Sequence, residues 1–142
     1  MKIKEPKEWT FNLSDPPRCK LIHIDKRGQI TCFYLGETEF TLLSTKKDYA
    51  RGGCVHKDNS EFFVVLEGKV EYHIVNEKDK ETIKVYCKGE NGIIPPNIPH
   101  WLIAVEDSLT LEWGATPEEK ACKDPECRKV VDEINNIVDE ME

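Results

Sequence analysis

Short β-type segments separated by turn residues occupy most of this chain, from Cys19 to Trp113. Alternation is clearest near the middle, where Val70, Tyr72 and Ile74 share one face of a predicted strand. Short strands at regular spacing are typical of an all-β sandwich or barrel. The predicted strands are Cys19–Ile24, Ile30–Leu35, Glu39–Leu43, Phe62–Glu67, Val70–Val75, Thr82–Cys87, Trp101–Val105 and Leu109–Trp113.

The segment after the strands has a helical pattern. Thr116 is a candidate N-cap, followed by Pro and by Glu in a capping box, and Asp124-Pro125 is a second helix start. The sequence therefore predicts an N-terminal arm over residues 1–18, a barrel over 19–114 and a helical extension over 115–142. In the extension an apolar stripe, predicted to cover the barrel or a second subunit, consists of Val130, Val131, Ile134, Ile137, Val138 and Met141.

Length and charge limit the classes of function. A chain of 142 residues suits one domain. The net charge is −7 without a basic stripe, which argues against binding to duplex nucleic acid. No apolar run approaches the roughly 20 residues that span a bilayer, so we expect a cytoplasmic protein without a membrane partner. The cysteines are scattered, so most are expected to be reduced structural residues.

Potential metal ligands lie in two short segments. Cys54 and His56 are two positions apart, so in a strand both side chains leave the same face. Glu61 opens the next predicted strand after a short polar turn, and His100 follows the rigid turn Pro95–Pro99. The spacing predicts that these four side chains converge.

These segments resemble the two motifs of the cupin superfamily. The first motif is His-x-His, three or four residues, Glu, six residues, Gly; the second is Gly, five residues, Pro-x-Gly, two residues, His. The resemblance implies a single-domain double-stranded β-helix, or jelly-roll barrel, with a helical tail and a bound divalent metal. The residues in register are His56, Glu61, Gly68, Gly89, Pro95 and His100.

The chain departs from the cupin pattern at three positions. Asn97 replaces a turn glycine, which Asn tolerates because it adopts left-handed backbone readily. Ala104 stands where the family often has Asn. Cys54 stands at the first histidine, where it could be a thiolate ligand, a catalytic thiol or a buried cysteine in a cupin without metal. One thiolate, two imidazoles and one carboxylate would suit zinc best, with iron or nickel next.

A second resemblance concerns Asp25-Lys26-Arg27-Gly28 and Arg51-Gly52-Gly53. These two segments are similar to segments of nucleotide-sugar epimerases and ketoisomerases of the RmlC type and of cupin domains of capsular polysaccharide synthesis. The resemblance implies that Arg27 and Arg51 bind a nucleotide-sugar. Epimerase chemistry is in doubt, because the general-base histidine of that group falls at Cys54.

Two classes of function remain open at this point. The first is a sugar isomerase or epimerase, or a related enzyme, that acts on a small polar substrate with Glu61 or His56 positioning or shuttling a proton. The alternatives are a metal-loaded binding module for sensing or storage, or a cupin dioxygenase. Open edge strands and the apolar stripe also predict a homodimer.

Overall fold

Ten strands and one helix form the part of the chain that the computed structural model describes, residues 16–76, 78, 80–115 and 123–141. The strands are β1 (Arg18–Asp25), β2 (Gly28–Leu35), β3 (Thr38–Thr45), β4 (Ala50–Cys54), β5 (Glu61–Glu67), β6 (Lys69–Val75), β7 (Glu81–Cys87), β8 (Asn91–Ile94), β9 (His100–Ala104) and β10 (Ser108–Trp113). The helix is α1 (Pro125–Glu140).

The strands form two antiparallel sheets. One has six strands in the order β1-β2-β3-β10-β5-β8, and the other has four in the order β4-β9-β6-β7. Alternate side chains of both sheets meet in an aromatic-rich core, in which the Phe63 and Tyr72 rings stack at 4.1 Å between centroids. The predicted jelly roll with a C-terminal helix is confirmed.

Every predicted strand corresponds to an observed one, and two observed strands were not predicted as separate segments. β4 was missed because it contains two adjacent glycines, which are weak strand formers. β8 has only four residues and lies close to the Pro95–Pro99 turn. Both strands matter for function because they pair with the segments that carry candidate ligands.

The helix begins where the sequence predicts. The Asp124 carboxylate accepts a hydrogen bond of 3.0 Å from the backbone of Cys127 and so caps the helix. Of the predicted stripe, Val131 and Ile134 pack against Ala50 and Trp101 of the four-stranded sheet, and Val131 is fully buried. The expectation is not met for Val130, Ile137 and Met141, which are exposed. The predicted helix start at Thr116 and residues 1–15 lie outside the described residues. Among the residues that are described, no helix has the length and apolar character needed to cross a membrane.

We predict that β1 supports a homodimer, because it is an edge strand with Leu21, Ile22 and Ile24 exposed by 50%, 57% and 71%. Ile24→Lys is expected to convert the dimer to a monomer, since it places a charge on that edge. Ile83→Lys, at an exposed position on β7, is the matched control. Sedimentation velocity measures both variants. A monomeric wild type, or a dimer that survives Ile24→Lys, would contradict this prediction.

Candidate metal centre and ligand cavity

A cavity of about 360 Å³ lies between the two sheets, and residues of both sheets form its wall. Leu43 and Trp101 supply apolar surface, while His56, Glu61 and His100 supply polar atoms. A partly apolar cavity with a few convergent polar groups is the usual form of a small-molecule site.

Three of the four predicted metal ligands meet in this cavity. His56, Glu61 and His100 are all buried, and their ligand atoms lie within 4.8 Å of one another. His56 Nε2 is 2.6 Å from Glu61 Oε2, and His100 Nε2 is 3.8 Å from the same oxygen. This is the convergence that the motif spacing predicts for these three residues.

Strand pairing positions Glu61 and His100, and a backbone hydrogen bond positions His56, which follows the end of β4. Glu61 is the first residue of β5 and pairs with β8, and His100 is the first residue of β9 and pairs with β4. The backbone N–H of Asn97 donates a 2.6 Å hydrogen bond to the carbonyl of His56, which ties the second motif to the first. Asn97 has a φ of 62°, so it adopts the left-handed conformation expected at this position.

The tautomer of His100 follows from its backbone partner. Nδ1 lies 2.9 Å from the carbonyl oxygen of Ile98, and because a carbonyl only accepts, Nδ1 carries a proton. In the neutral ring, Nε2 therefore presents a lone pair toward the Glu61 carboxylate. Two acceptors that face each other need a cation between them, either a proton or a metal ion. A backbone hydrogen bond on the second nitrogen is also how proteins orient metal-bound histidines.

Electrostatics keeps Glu61 ionised despite its burial. Desolvation disfavours the charged carboxylate, but hydrogen bonds and charge from His100 and His56 outweigh it and hold the pKa of Glu61 well below its usual range. The donor set of two imidazoles and one ionised carboxylate suits a divalent ion such as zinc, manganese or iron. The residues present therefore fit the metal that the resemblance implies.

Cys54 lines the same cavity, but its Sγ is not part of the three-residue group. A β-bulge interrupts the pairing between Gly52 and Cys54, and Gly52 and Gly53 have φ of 101° and 84°. The simple alternation assumed from the sequence is lost there. Sγ lies 3.5 Å from Lys123 Nζ, and burial raises the pKa of the thiol even though Lys123 opposes the shift. A ligand or nucleophile role for Cys54 stays a prediction.

Both predicted substrate-binding arginines line the cavity. Arg51 is 3% exposed and donates to Thr45 Oγ1 and to the Ser44 carbonyl, each at 2.9 Å. Its Nη1 is buried without a hydrogen-bond partner. Burial and then the charge of Arg27 lower the pKa of Arg51 to about 10, so it stays cationic at neutral pH.

Arg27 differs from Arg51 because it already has a charged partner. Its Nε and Nη2 lie 3.1 and 2.8 Å from Oδ2 of Asp25. This contact holds the pKa of the Asp25 carboxyl well below its usual range. Of the two arginines, Arg51 is therefore the better candidate to bind an anionic ligand.

Sequence reasoning assigned no function to four titratable residues of the cavity: Tyr72, Glu112, Lys123 and Arg128. Tyr72 was predicted only to share a strand face with Val70 and Ile74, and its hydroxyl lies 3.4 Å from Glu112 Oε1. In β10 the polar residues Ser108 and Thr110 are buried and share a strand face with Glu112, while Leu109 and Leu111 on the other face are half-buried. This inverted alternation was the available signal for a polar interior. No comparable pattern in the sequence indicated that Lys123 and Arg128, from the C-terminal segment, line the cavity.

The other histidines lie outside the cavity lining. His23 is exposed on β1. His73 is buried and stacks on Trp101 at 3.7 Å between ring centroids. His73 is buried because the Trp101 ring covers its imidazole.

Comparisons with known proteins agree with the architecture. A family model described as a cupin domain matches residues 51–115. The capsular polysaccharide assembling protein CapF from Staphylococcus aureus is 22% identical over 76% of this chain and 32% of its own, with a TM-score of 0.62. A tryptophan-to-tyrosine variant of the oxalate decarboxylase from Bacillus subtilis is 18% identical over 72% of this chain and 30% of its own, with a TM-score of 0.63.

The matched region corresponds to about a third of each of these two structures. No protein with a curated function matches the sequence. The family match spans both motif segments and the three converging ligands. Residues 51–115 are therefore similar to a cupin domain, and the described chain has the fold of the structural neighbours.

Proposed function

We propose that this protein binds a divalent metal through His56, Glu61 and His100 and acts on a small polar substrate, with a sugar or nucleotide-sugar as the first candidate. One observation carries the proposal: the three-residue group and the buried Arg51, whose Nη1 has no hydrogen-bond partner, line one cavity. A ligand with an anionic group on Arg51 would extend toward the metal ligands.

The chemistry of each side chain suggests its role in the proposed site. A bound divalent ion would supply Lewis-acid polarisation of a substrate oxygen. Arg51 would hold an anionic group, and Arg27 would support it from the neighbouring wall. His56 and Glu61 make the closest polar contact at the site, 2.6 Å, and a proton held between them would be available to the substrate.

Two structural neighbours support the two parts of the proposal. CapF is described as a capsular polysaccharide assembling protein, and one structure of it holds the inhibitor 3-isopropenyl-tropolone. The oxalate decarboxylase of Bacillus subtilis is described with Mn(II) centres. The first favours a sugar-containing substrate and the second favours a metal at the site, although identities of about one in five support the fold alone.

UDP-glucose is expected to raise the thermal unfolding temperature of the protein, and Arg51→Gln is expected to remove most of that effect. A ligand at about 100 times its dissociation constant adds roughly 2.7 kcal/mol of stability. Arg27→Gln should weaken the protection less, because Asp25 already pairs with Arg27. Differential scanning fluorimetry measures each case.

Arg18→Gln is the matched control, since Arg18 is exposed on β1 and does not line the cavity. Equal protection in wild type and Arg51→Gln would contradict the assignment of Arg51. Protection by a simple organic acid, with none by UDP-glucose, would favour the binding-module or dioxygenase alternatives over a sugar enzyme.

A further inference from the structure

The C-terminal segment docks on the two adjacent glycines of β4. The backbone N–H of Asp124 donates a 2.8 Å hydrogen bond to the Gly53 carbonyl, and Arg128 Nη1 donates one of 3.0 Å to the Gly52 carbonyl. A Cβ atom on Gly53 would lie 3.0 Å from the backbone N and Cα of Arg128. The close approach therefore requires glycine at this position.

This docking brings two cations into the wall of the cavity, Lys123 and Arg128. Lys123 forms a β-bridge with Cys54, and its Nζ lies 3.5 Å from Cys54 Sγ. Cys54 in turn pairs across the sheet with the metal-ligand candidate His100. Both cations follow the region that the family model matches, residues 51–115.

The cavity wall holds more cationic than carboxylate side chains, four against two. Arg27 pairs with Asp25, and Arg128 pairs with Asp132 at 3.3 Å on the same helix. Within the described ranges no ion pair joins Arg51 to a carboxylate. Of the two cavity carboxylates, Glu61 contacts both histidines and Glu112 lies near the Tyr72 hydroxyl. A cationic wall in a chain of net charge −7 is a local feature that an anionic ligand would stabilise.

The buried Arg51 is the second, independent observation. Its Nη1 has no hydrogen-bond partner although the residue is 3% exposed. A buried guanidinium nitrogen left without an acceptor is costly, and a ligand oxygen would remove that cost. The buried Arg51 and the two cations of the C-terminal segment therefore line the same cavity.

We propose that Lys123 and Arg128 are ligand-binding residues, and that with Arg51 they select a small ligand that carries carboxylate or phosphate groups. This inference rests on the cavity of the proposed function and adds the charge of the substrate and the segment that recognises it. The C-terminal segment is then part of the site as well as a cover for the sheet.

Isothermal titration calorimetry with inorganic pyrophosphate and with malonate tests the inference. Lys123→Gln and Arg128→Gln are each expected to raise the Kd of the better probe about tenfold, which corresponds to about 1.4 kcal/mol. Lys129→Gln is the matched control, because Lys129 is exposed on the same helix and does not line the cavity. Lys123→Arg should keep most of the affinity, which separates charge recognition from a purely structural effect.

Each titration is made with metal-loaded and with chelator-treated protein, and the metal content is measured in every sample. Tighter binding of pyrophosphate identifies phosphate as the recognised group, and tighter binding of malonate identifies carboxylate. The two proposals can fail separately. If both variants lose affinity for the probe but the wild type binds no metal even after metal loading, the result supports this inference and contradicts the metal proposal. An unchanged Kd in both variants, an equal loss in Lys129→Gln, or no binding of either probe to wild type would overturn the inference.

Discussion

His100→Ala is expected to leave the purified protein without bound divalent metal, whereas the wild type carries about one ion per chain. The substitution removes one of only two imidazoles in the three-residue group, and the remaining His56 and Glu61 would form a weak site. Mass spectrometry of untagged protein gives the metal content of each sample. Chelator treatment of wild type should lower the melting temperature, because metal that binds only the folded state stabilises it.

Protons should be released when metal binds. In the metal-free state a proton shared between an imidazole and Glu61 satisfies the facing acceptors, and a metal ion would displace it. Metal affinity should therefore fall as the pH is lowered, because protons compete with the metal for the same ligand atoms. A pH-independent metal affinity between about pH 5 and 8 would contradict ligation by histidine.

His23→Ala and Cys54→Ser are the comparison variants. His23 is exposed on β1, so its substitution should leave the metal content unchanged. Cys54→Ser should retain metal, because the three grouped ligands remain. A strong loss in Cys54→Ser would instead place the thiolate in the ligand set, as the sequence predicts, and would favour zinc. Wild-type protein without metal under metal-replete conditions would contradict the metal proposal.

Val131→Asp is expected to reduce the free energy of unfolding by at least about 3 kcal/mol, because it places an unpaired carboxylate in an apolar contact. Val131 lies on the buried side of α1, is 0% exposed and packs against Ala50 and Trp101 of the four-stranded sheet. Urea unfolding followed by circular dichroism measures the loss. The near-ultraviolet signal of Trp101 should change as well, since its neighbour on the helix is altered.

Ile137→Asp is the matched control on the same helix, at a position that is 58% exposed. Its effect on the free energy of unfolding should stay within about 0.5 kcal/mol. If Val131→Asp were equally mild, the helix would not be held by the barrel. Because α1 carries Arg128, loosening it through Val131→Asp is also expected to weaken binding of the anionic probes.

Local sequence patterns predict much of the fold. A period of two along a strand and three or four along a helix are properties of single elements, so the predicted strands and the start of α1 at Asp124-Pro125 match the structure. His56, Glu61 and His100 were predicted for a related reason. Each lies beside a turn that joins strands of the barrel, and the motif spacing places those turns together.

The positions of several cavity residues depend on tertiary structure and cannot be predicted from local sequence patterns. The bulge at the paired glycines of β4 breaks the alternation that was assumed for Cys54, so its Sγ approaches Lys123 instead of joining the three ligands. Glu112 lines the cavity, against the usual preference of strands for apolar inward positions. Lys123 and Arg128 line the cavity where the C-terminal segment docks on Gly53, at which a Cβ atom would lie 3.0 Å from the Arg128 backbone. Such a contact depends on the packing of segments far apart in sequence, and no periodicity within either segment predicts it.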